Sequence, residues 1–376
     1  MIIIWAMVSL ALFVMLFTVL LNLITFTRLI ARPPEPHAQA TLPGVSILVP
    51  ARNEAAVIGE TITRLLALLD DDSTDGTAEI ARATAGDAPN LRIIKGAALP
   101  PGWLGKSWAC HQLGGYARAD LLIFADADVH WHPAALRSLV EAMQHHRADM
   151  LTVWPTQIMN TWAERLTVGL IMLVVGAYLP EIATRIIPGP LFAAANGQVI
   201  AFRRPVYLAI GGHSIVRDKI VEDVALARAV KKPGYKLMLV LGNRLISTRM
   251  YDGWPAIRDG FAKNILAGHG GLFMLLLSMI FHLLVFVAPW LWLALGGLLP
   301  HSPMWPVVPL ILGLSGAIVR ALTAALAHQP LLDGLLMPLS ALLMTLITIR
   351  AVRWHLTGQT RWKGRTLIPP QANLVP

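Results

Sequence analysis

No ionisable side chain occurs before Arg28, and between Leu266 and Ile349 the only ones besides histidines are Arg320 and Asp333. Nearly all the charge of this 376-residue chain is therefore confined to its middle and its tail. An ordinary water-soluble globule carries charge over its whole length and is nearer a quarter charged than the 14% found here. A mean hydropathy of +0.59 agrees in excluding that class.

Ile2 to Thr27 is an uncharged run long enough to cross a hydrocarbon core of roughly 30 Å. It is read as an anchor spanning 1–27, because a signal peptide needs a basic start and a shorter apolar core. Arg28 and Arg32 follow it, which places the next segment on the cytoplasmic side. Pro33, Pro34, Pro36 and Pro43 make 28–43 a stiff linker. The globular region is expected over 44–265, apolar segments again over 266–349, and a basic cytoplasmic tail over 350–376. The whole is expected in the cytoplasmic membrane as a multi-pass protein.

The formal net charge of +9 does not point to nucleic acid. The basic residues flank apolar runs and form no soluble patch interleaved with stacking aromatics, so anionic lipid headgroups are the fitting counter-charge. Cys110 is the single cysteine and no Cys/His pair has zinc spacing, consistent with a reducing, cytoplasmic setting.

Within 44–265, short apolar runs alternate with amphipathic ones. Strands are expected at Val45 to Val49, Leu91 to Ile94 and Leu121 to Phe124, and helices at Glu54 to Leu69, Pro133 to His145 and Val224 to Val230. This alternation specifies an α/β sheet covered on both faces. Leu166 to Tyr178 is apolar but too short to span; it suits either the headgroup layer or a buried core position. Leu272 to Leu299 and Trp305 to Ala327 are long enough to cross, whereas Leu335 to Ile349 is short. Three crossings would carry Arg350, Arg353, Arg361, Lys363 and Arg365 outside, so one of the three is expected to be re-entrant or interfacial.

Chemistry concentrates at a few places. Pro50-Ala51-Arg52-Asn53-Glu54 lies where a strand yields to a helix, the edge at which open alternating sheets bind ligands. Asp70-Asp71-Asp72-Ser73-Thr74-Asp75-Gly76-Thr77 has more carboxylates than a helix cap requires, and these suit the N–H and O–H donors of a nucleoside. Asp126-Ala127-Asp128 ends an apolar strand, with both carboxylates on one side if the chain stays extended. Two like charges so placed call for a cation, and hard oxygen ligands suit Mg or Mn. Glu222-Asp223 opens a helix and is either a dipole partner or a general base. Trp362-Lys363-Gly364-Arg365 is either a membrane-proximal basic tail or a phosphate contact.

Taken in order, these segments, with Leu99-Pro100-Pro101-Gly102-Trp103 and Gly105-Lys106-Ser107-Trp108-Ala109, resemble the membrane-bound family 2 glycosyltransferases of GT-A fold. Among these, the hopanoid-associated and carotenoid (diaponeurosporenoate-type) enzymes are the nearest in pattern. The resemblance implies a GT-A nucleotide-diphospho-sugar transferase domain, a Rossmann-like sheet with helices on both faces, beside transmembrane helices. It further implies that Pro50, Arg52, Glu54, Asp72, Lys106 and Asp126 contact a nucleotide-sugar donor, that Asp126 and Asp128 hold a divalent metal, and that Asp223, flanked by Glu222, is the catalytic base. Lys263, Trp362, Lys363 and Arg365 are candidate phosphate or acceptor contacts.

The expected activity is inverting transfer of one sugar, from a UDP-sugar, to a lipid such as a hopanoid, carotenoid or other isoprenoid. Alternatives are a polyprenyl-phosphate or a sphingo- or glycerolipid acceptor, or an impaired membrane scaffold. In the family a second strand precedes the Asp-rich run, whereas here Leu65 to Leu69 abut Asp70. Either those residues form that strand after a shortened helix, or the nucleotide pocket is damaged. The Gln-x-x-Arg-Trp motif of processive polymerases is absent, with Phe261-Ala262-Lys263-Asn264 in its place, which favours single addition.

Overall fold

The computed structural model describes residues 2–31, 43–64, 67–70, 75–86, 91–298, 304–357, 361–362 and 365–366. Most of the 28–43 linker and the expected donor contact Asp72 lie outside them, as does Lys363. The chain divides into two compact units: one comprises 26–158 and 182–249, the other 1–25, 159–181 and 250–376.

The first unit is built on ten strands: β1 (Val45–Ala51), β2 (Ala67–Asp70), β3 (Arg92–Lys95), β4 (Leu121–Ala125), β5 (Val129–Trp131), β6 (Met150–Trp154), β7 (Thr156–Gln157), β8 (Val199–Arg203), β9 (Leu237–Leu241) and β10 (Ile246–Thr248). Seven of them form one sheet in the order β3-β2-β1-β4-β8-β6-β9, and β5-β10-β7 form a second. All pairings in the large sheet are parallel except those of β8, which runs against both β4 and β6.

The apolar runs are continuous because both faces of the sheet are buried, and the two-residue pleat sorts each run between them. Ile47, Val49, Leu121, Ile123, Val199 and Ala201 face one core, with Leu139 and Met143 of the helix Ala135–His145. Leu48, Leu122, Phe124, Ile200 and Phe202 face the other, with Cys110 and Leu113 of the helix Gly105–Tyr116 and Leu226 and Val230 of the helix Glu222–Lys231. Each fully buried side chain of this kind stabilises by roughly 1.5–3 kcal/mol relative to exposure.

Three sequence expectations are revised here. The helix expected to Leu69 ends at Arg64, and Ala67–Asp70 is the strand β2, with Leu68 beside Val49 and Asp70 beside Ala51. The first of the two alternatives for the shortened region is therefore the one realised. The proline linker does not begin at Arg28: Leu29 N–H donates to Leu241 C=O at 2.9 Å and Leu241 N–H to Thr27 C=O, adding Thr27 to Leu29 to the sheet edge at β9. Leu29 is 1% exposed. Residues 159–181 cluster with the apolar helices, outside the sheet unit that was expected to run unbroken to 265.

The second unit is helical, and among the described residues three helices are long and apolar enough to cross a membrane: Ile2–Thr25, Val307–Leu326 and Leu331–Thr357. Leu272 to Leu298 is not one continuous helix. It breaks into Leu272–Phe286 and Ala288–Leu295, with Pro289 opening the second piece, since proline cannot donate to the preceding turn. Leu272–Phe286 is also bent by 113° from Gly253–Gly268. The intervening Gly270 and Gly271 have φ of 73° and 146°, which residues with a Cβ rarely adopt.

The last segment, expected to be short, is a 27-residue stretch that runs on through Arg350 and Arg353. Of the two readings of Leu166 to Tyr178, the core one holds. Leu173 and Ala177 pack with Val8, Leu12 and Met15 of the first helix and with Leu312 and Val319. Buried Asn22 donates to the carbonyls of Gly176 and Leu179 and accepts from Glu181 N–H, satisfying the end of the helix Ile171–Tyr178.

Candidate active site

β1 and β4 are adjacent and parallel, so Arg52 to Glu54 and Asp126 to Asp128 emerge at the same edge of the sheet. β8 runs the other way, which brings the residues just before it, Asn196 to Gln198, to that edge as well. The Asp126 N–H donates to Gln198 C=O at 2.9 Å. Thr152, fully buried, clasps Asn196 by accepting from its N–H and donating to its C=O. The loop before β8 is thus pinned on both sides.

Lys106 lies in the first turn of Gly105–Tyr116, a helix whose N-terminus no side chain caps. Its Nζ is 2.8 Å from an Asp126 oxygen, 3.1 Å from a Glu222 oxygen and 3.2 Å from Gly197 C=O. Partial burial works against its charge, but Asp126 and Glu222 outweigh that and hold the ammonium well above its ordinary range. A Cβ on Gly197 would come within 3.3 Å of Glu222 Oε1 and 3.4 Å of Asp223, so the bare backbone there lets the two carboxylates and the lysine meet.

Asp128 is raised to about 7, by burial first and then by the charges of Asp126 and Glu54. Asp223 is likewise raised to about 7, by burial and then by Glu222, although Val224 N–H donates to its carboxylate at 2.8 Å. Lys106 is thus shared by Asp126 and Glu222 and acts on Asp128 and Asp223, while Glu54 acts on Asp128. Burial and neighbouring charge thus make Asp128 and Asp223 harder to ionise than ordinary carboxylates, and added positive charge would favour their ionised forms. Among the described residues no three His, Cys, Asp or Glu side chains are grouped so as to hold a metal alone. Asp126 and Asp128 are the residues that would hold a hard divalent ion, for which carboxylate oxygens are suitable donors.

The Asp-rich segment divides. Asp75 accepts from the N–H of Ala55 at 2.9 Å and of Thr77 at 3.2 Å, and Thr77 Oγ1 accepts from Glu54 N–H at 2.9 Å. These two residues tie the loop before the helix Thr77–Ala85 to the start of Ala55–Arg64, where Asn53 takes a left-handed φ of 53°. They are caps. Pro50 is in β1 itself, paired with Leu69. Lys263 is in the helix Gly253–Gly268 of the other unit, and Trp362 and Arg365 are register partners in an antiparallel pair of two-residue strands there.

Sequence reasoning passed over Asn196, Gly197 and Gln198, whose only signal was small and amide residues ahead of an apolar strand. It also gave no role to His213, which is 3% exposed, with its ring 4.6 Å from that of Phe124 and its Nδ1 3.0 Å from the Tyr207 hydroxyl. Burial, with the Lys106 charge, pushes His213 down to about 3, so the ring stays neutral. Cys110 is buried with its thiol pushed up by desolvation, which makes it unreactive.

Residues 46–207 match the glycosyl transferase family 2 pattern. The 4,4'-diaponeurosporenoate glycosyltransferase of Staphylococcus haemolyticus (strain JCSC1435) is 28% identical over 241 residues, 61% of this chain and 62% of that protein. The Staphylococcus aureus (strain USA300) enzyme of the same name is 28% identical over 242 residues, 60% of this chain and 62% of its own. The chain thus aligns with somewhat under two thirds of the length of these relatives. In fold it is similar to the mannosyltransferase PcManGT from Pyrobaculum calidifontis, solved with GDP-Man and Mn2+, at a TM-score of 0.56 and 18% identity over 93% of this chain and 98% of that one. With its mixed sheet and the cluster at the sheet's edge, the chain carries a glycosyl transferase family 2 domain of GT-A fold.

Proposed function

We propose that this protein is a membrane-bound, inverting glycosyltransferase that moves one sugar from a nucleotide-diphospho-sugar to a lipid acceptor, with an isoprenoid acid or alcohol as the acceptor class. The observation that carries the reading is the junction of Lys106 with Asp126 and Glu222 beside two carboxylates raised to about 7. The diaponeurosporenoate relatives support an isoprenoid acceptor, and the mannosyltransferase supports a nucleotide-sugar donor. The three apolar helices support a membrane seat, with Arg350 and Arg353 at its cytoplasmic face.

Asp126 and Asp128 would hold a divalent ion, Mg or Mn, whose chemistry is to neutralise the diphosphate as it leaves. Lys106 exchanges its contact with Asp126 for the same oxygens. The acceptor oxygen forms the new bond to the sugar's anomeric carbon as the bond from that carbon to the diphosphate breaks, and the electron pair leaves on the diphosphate. With a hydroxyl acceptor the proton goes to Asp223, whose raised pKa suits a base working near neutrality. A carboxylate acceptor carries no such proton and makes a smaller demand on Asp223.

The test is transfer from radiolabelled UDP- and GDP-sugars, with Mn, to a panel of isoprenoid acids and alcohols by the detergent-purified protein. A glycolipid product that disappears in Asp128→Ala supports the proposal. No product from any donor and acceptor pair, in protein shown to be folded, overturns it.

A further inference from the structure

The helical unit holds a second charged cluster. Arg165, on the helix Trp162–Thr167, donates from Nε and Nη2 to the two carboxylate oxygens of Asp333, which is 2% exposed on the turn Leu331–Leu336. Arg320, on the helix Val307–Leu326, is 0% exposed and lies within electrostatic reach of the same carboxylate. Its Nη1 donates to Gln329 Oε1 at 3.3 Å, but its Nε and Nη2 have no hydrogen-bond partner among the described residues. Gly169 makes room for this side chain, since a Cβ there would overlap Nη2. One guanidinium thus pairs with the buried carboxylate, and a second, fully buried, lies within its electrostatic reach.

A buried guanidinium with unsatisfied donors is costly and is retained for a reason other than packing. Its position supplies one. Detaching a single partner from a buried carboxylate is normally strongly destabilising. With Arg320 in reach of Asp333, Arg165 can leave without stranding the charge. Arg165 is also the member open to the outside, with 44% of its side chain exposed against 2% for Asp333. Leu331, Leu332 and Leu335 beside Asp333 are 56%, 76% and 59% exposed, an apolar rim suited to a hydrocarbon chain.

We infer that Arg165 is the binding residue for an oxyanion carried by a lipid, a carboxylate or a phosphate, and that Arg320 takes over Asp333 when Arg165 swings to that ligand. The guanidinium forks onto either oxyanion in the same bidentate way. The inference rests on the membrane seat proposed above and is independent of sugar transfer, because binding needs no donor.

The experiment uses the full chain in neutral detergent, with oleate and dioleoylphosphatidylglycerol as probes and oleyl alcohol as the uncharged control. Bound lipid is counted by native mass spectrometry and affinity is read from tryptophan fluorescence. At least one anionic probe is expected to bind while oleyl alcohol does not; oleate alone marks a carboxylate head, and phosphatidylglycerol a phosphate. Arg165→Gln is expected to weaken binding about tenfold or more, with Arg165→Lys recovering part of it. Arg320→Gln is also expected to weaken it, because Asp333 then retains Arg165, whereas Asp333→Asn is expected to strengthen it. The opposite signs of the last two variants test the exchange even where Arg165→Gln fails to fold. Unchanged affinity in Arg165→Gln, equal binding of oleyl alcohol, or shifts of the same sign in Arg320→Gln and Asp333→Asn would overturn the inference.

Discussion

The two units handle charge in opposite ways. At the edge of the sheet, Lys106 is shared by Asp126 and Glu222, with Asp128 and Asp223 within its electrostatic reach. Among the apolar helices, Asp333 pairs with Arg165 while a second arginine, Arg320, lies within its electrostatic reach. Neither imbalance is the cheapest arrangement for a fold, and each is held by a bare backbone position, Gly197 in one and Gly169 in the other. Under the two proposals above, the carboxylates of the first unit suit a cation with a diphosphate, and the arginines of the second suit an oxyanion.

The comparison breaks most visibly at Asp128. Asp128→Ala is expected to lower sugar transfer by about 10³-fold or more, while detergent-purified protein keeps its circular dichroism spectrum. Next in size is Asp223→Asn, expected to cost about 10²–10⁴-fold with a hydroxyl acceptor and markedly less with a carboxylate, read as kcat/KM for paired acceptors. In the wild type the hydroxyl reaction should rise with pH and level off above about 7, and the variant should lose that limb.

Stability sharpens the same contrast. Leu122→Ala, at a position 0% exposed between two packed layers, is expected to cost about 2–5 kcal/mol in denaturant titration. Phe13→Ala, at a position 66% exposed on the first apolar helix, should cost little in detergent.

A smaller effect follows from the raised carboxylates. A carboxylate whose folded pKa lies above its unfolded value contributes most below the unfolded value and loses that contribution as pH rises through the folded one. Asp128→Asn should therefore raise the melting temperature of the metal-free protein near pH 8 and leave it nearly unchanged near pH 4.

Much of the sheet unit was legible because its physics is local. Leu121 to Phe124 can only be a strand buried on both faces, and a strand ending in Asp126-Ala127-Asp128 advertises a cation. Lys106, Asp126, Glu222 and Asp223 were named from sequence, and the fold brings them together. Gly197 was not legible, since its meaning lies in the absence of a Cβ near side chains far along the chain. Hydropathy likewise misjudged the helical unit. Leu272 to Leu299 is apolar throughout, and a reading by hydropathy alone passes over Pro289, where the helix breaks, and Gly270-Gly271 just before it, where the chain bends. Arg350 and Arg353 end the apolar stretch without ending the helix, because arginine is a good helix former. His213 was hidden for a further reason: a histidine held neutral among aromatic rings looks, in sequence, like any other.

Donor binding tests the central claim most directly, that the carboxylate cluster is a cation-dependent diphosphate site. Calorimetric titration of UDP- and GDP-sugars into the purified protein should show binding with Mn and little without it. That binding should be lost in Asp126→Ala and in Asp128→Ala. Equal binding in the presence and absence of metal, or binding retained in both variants, would contradict it.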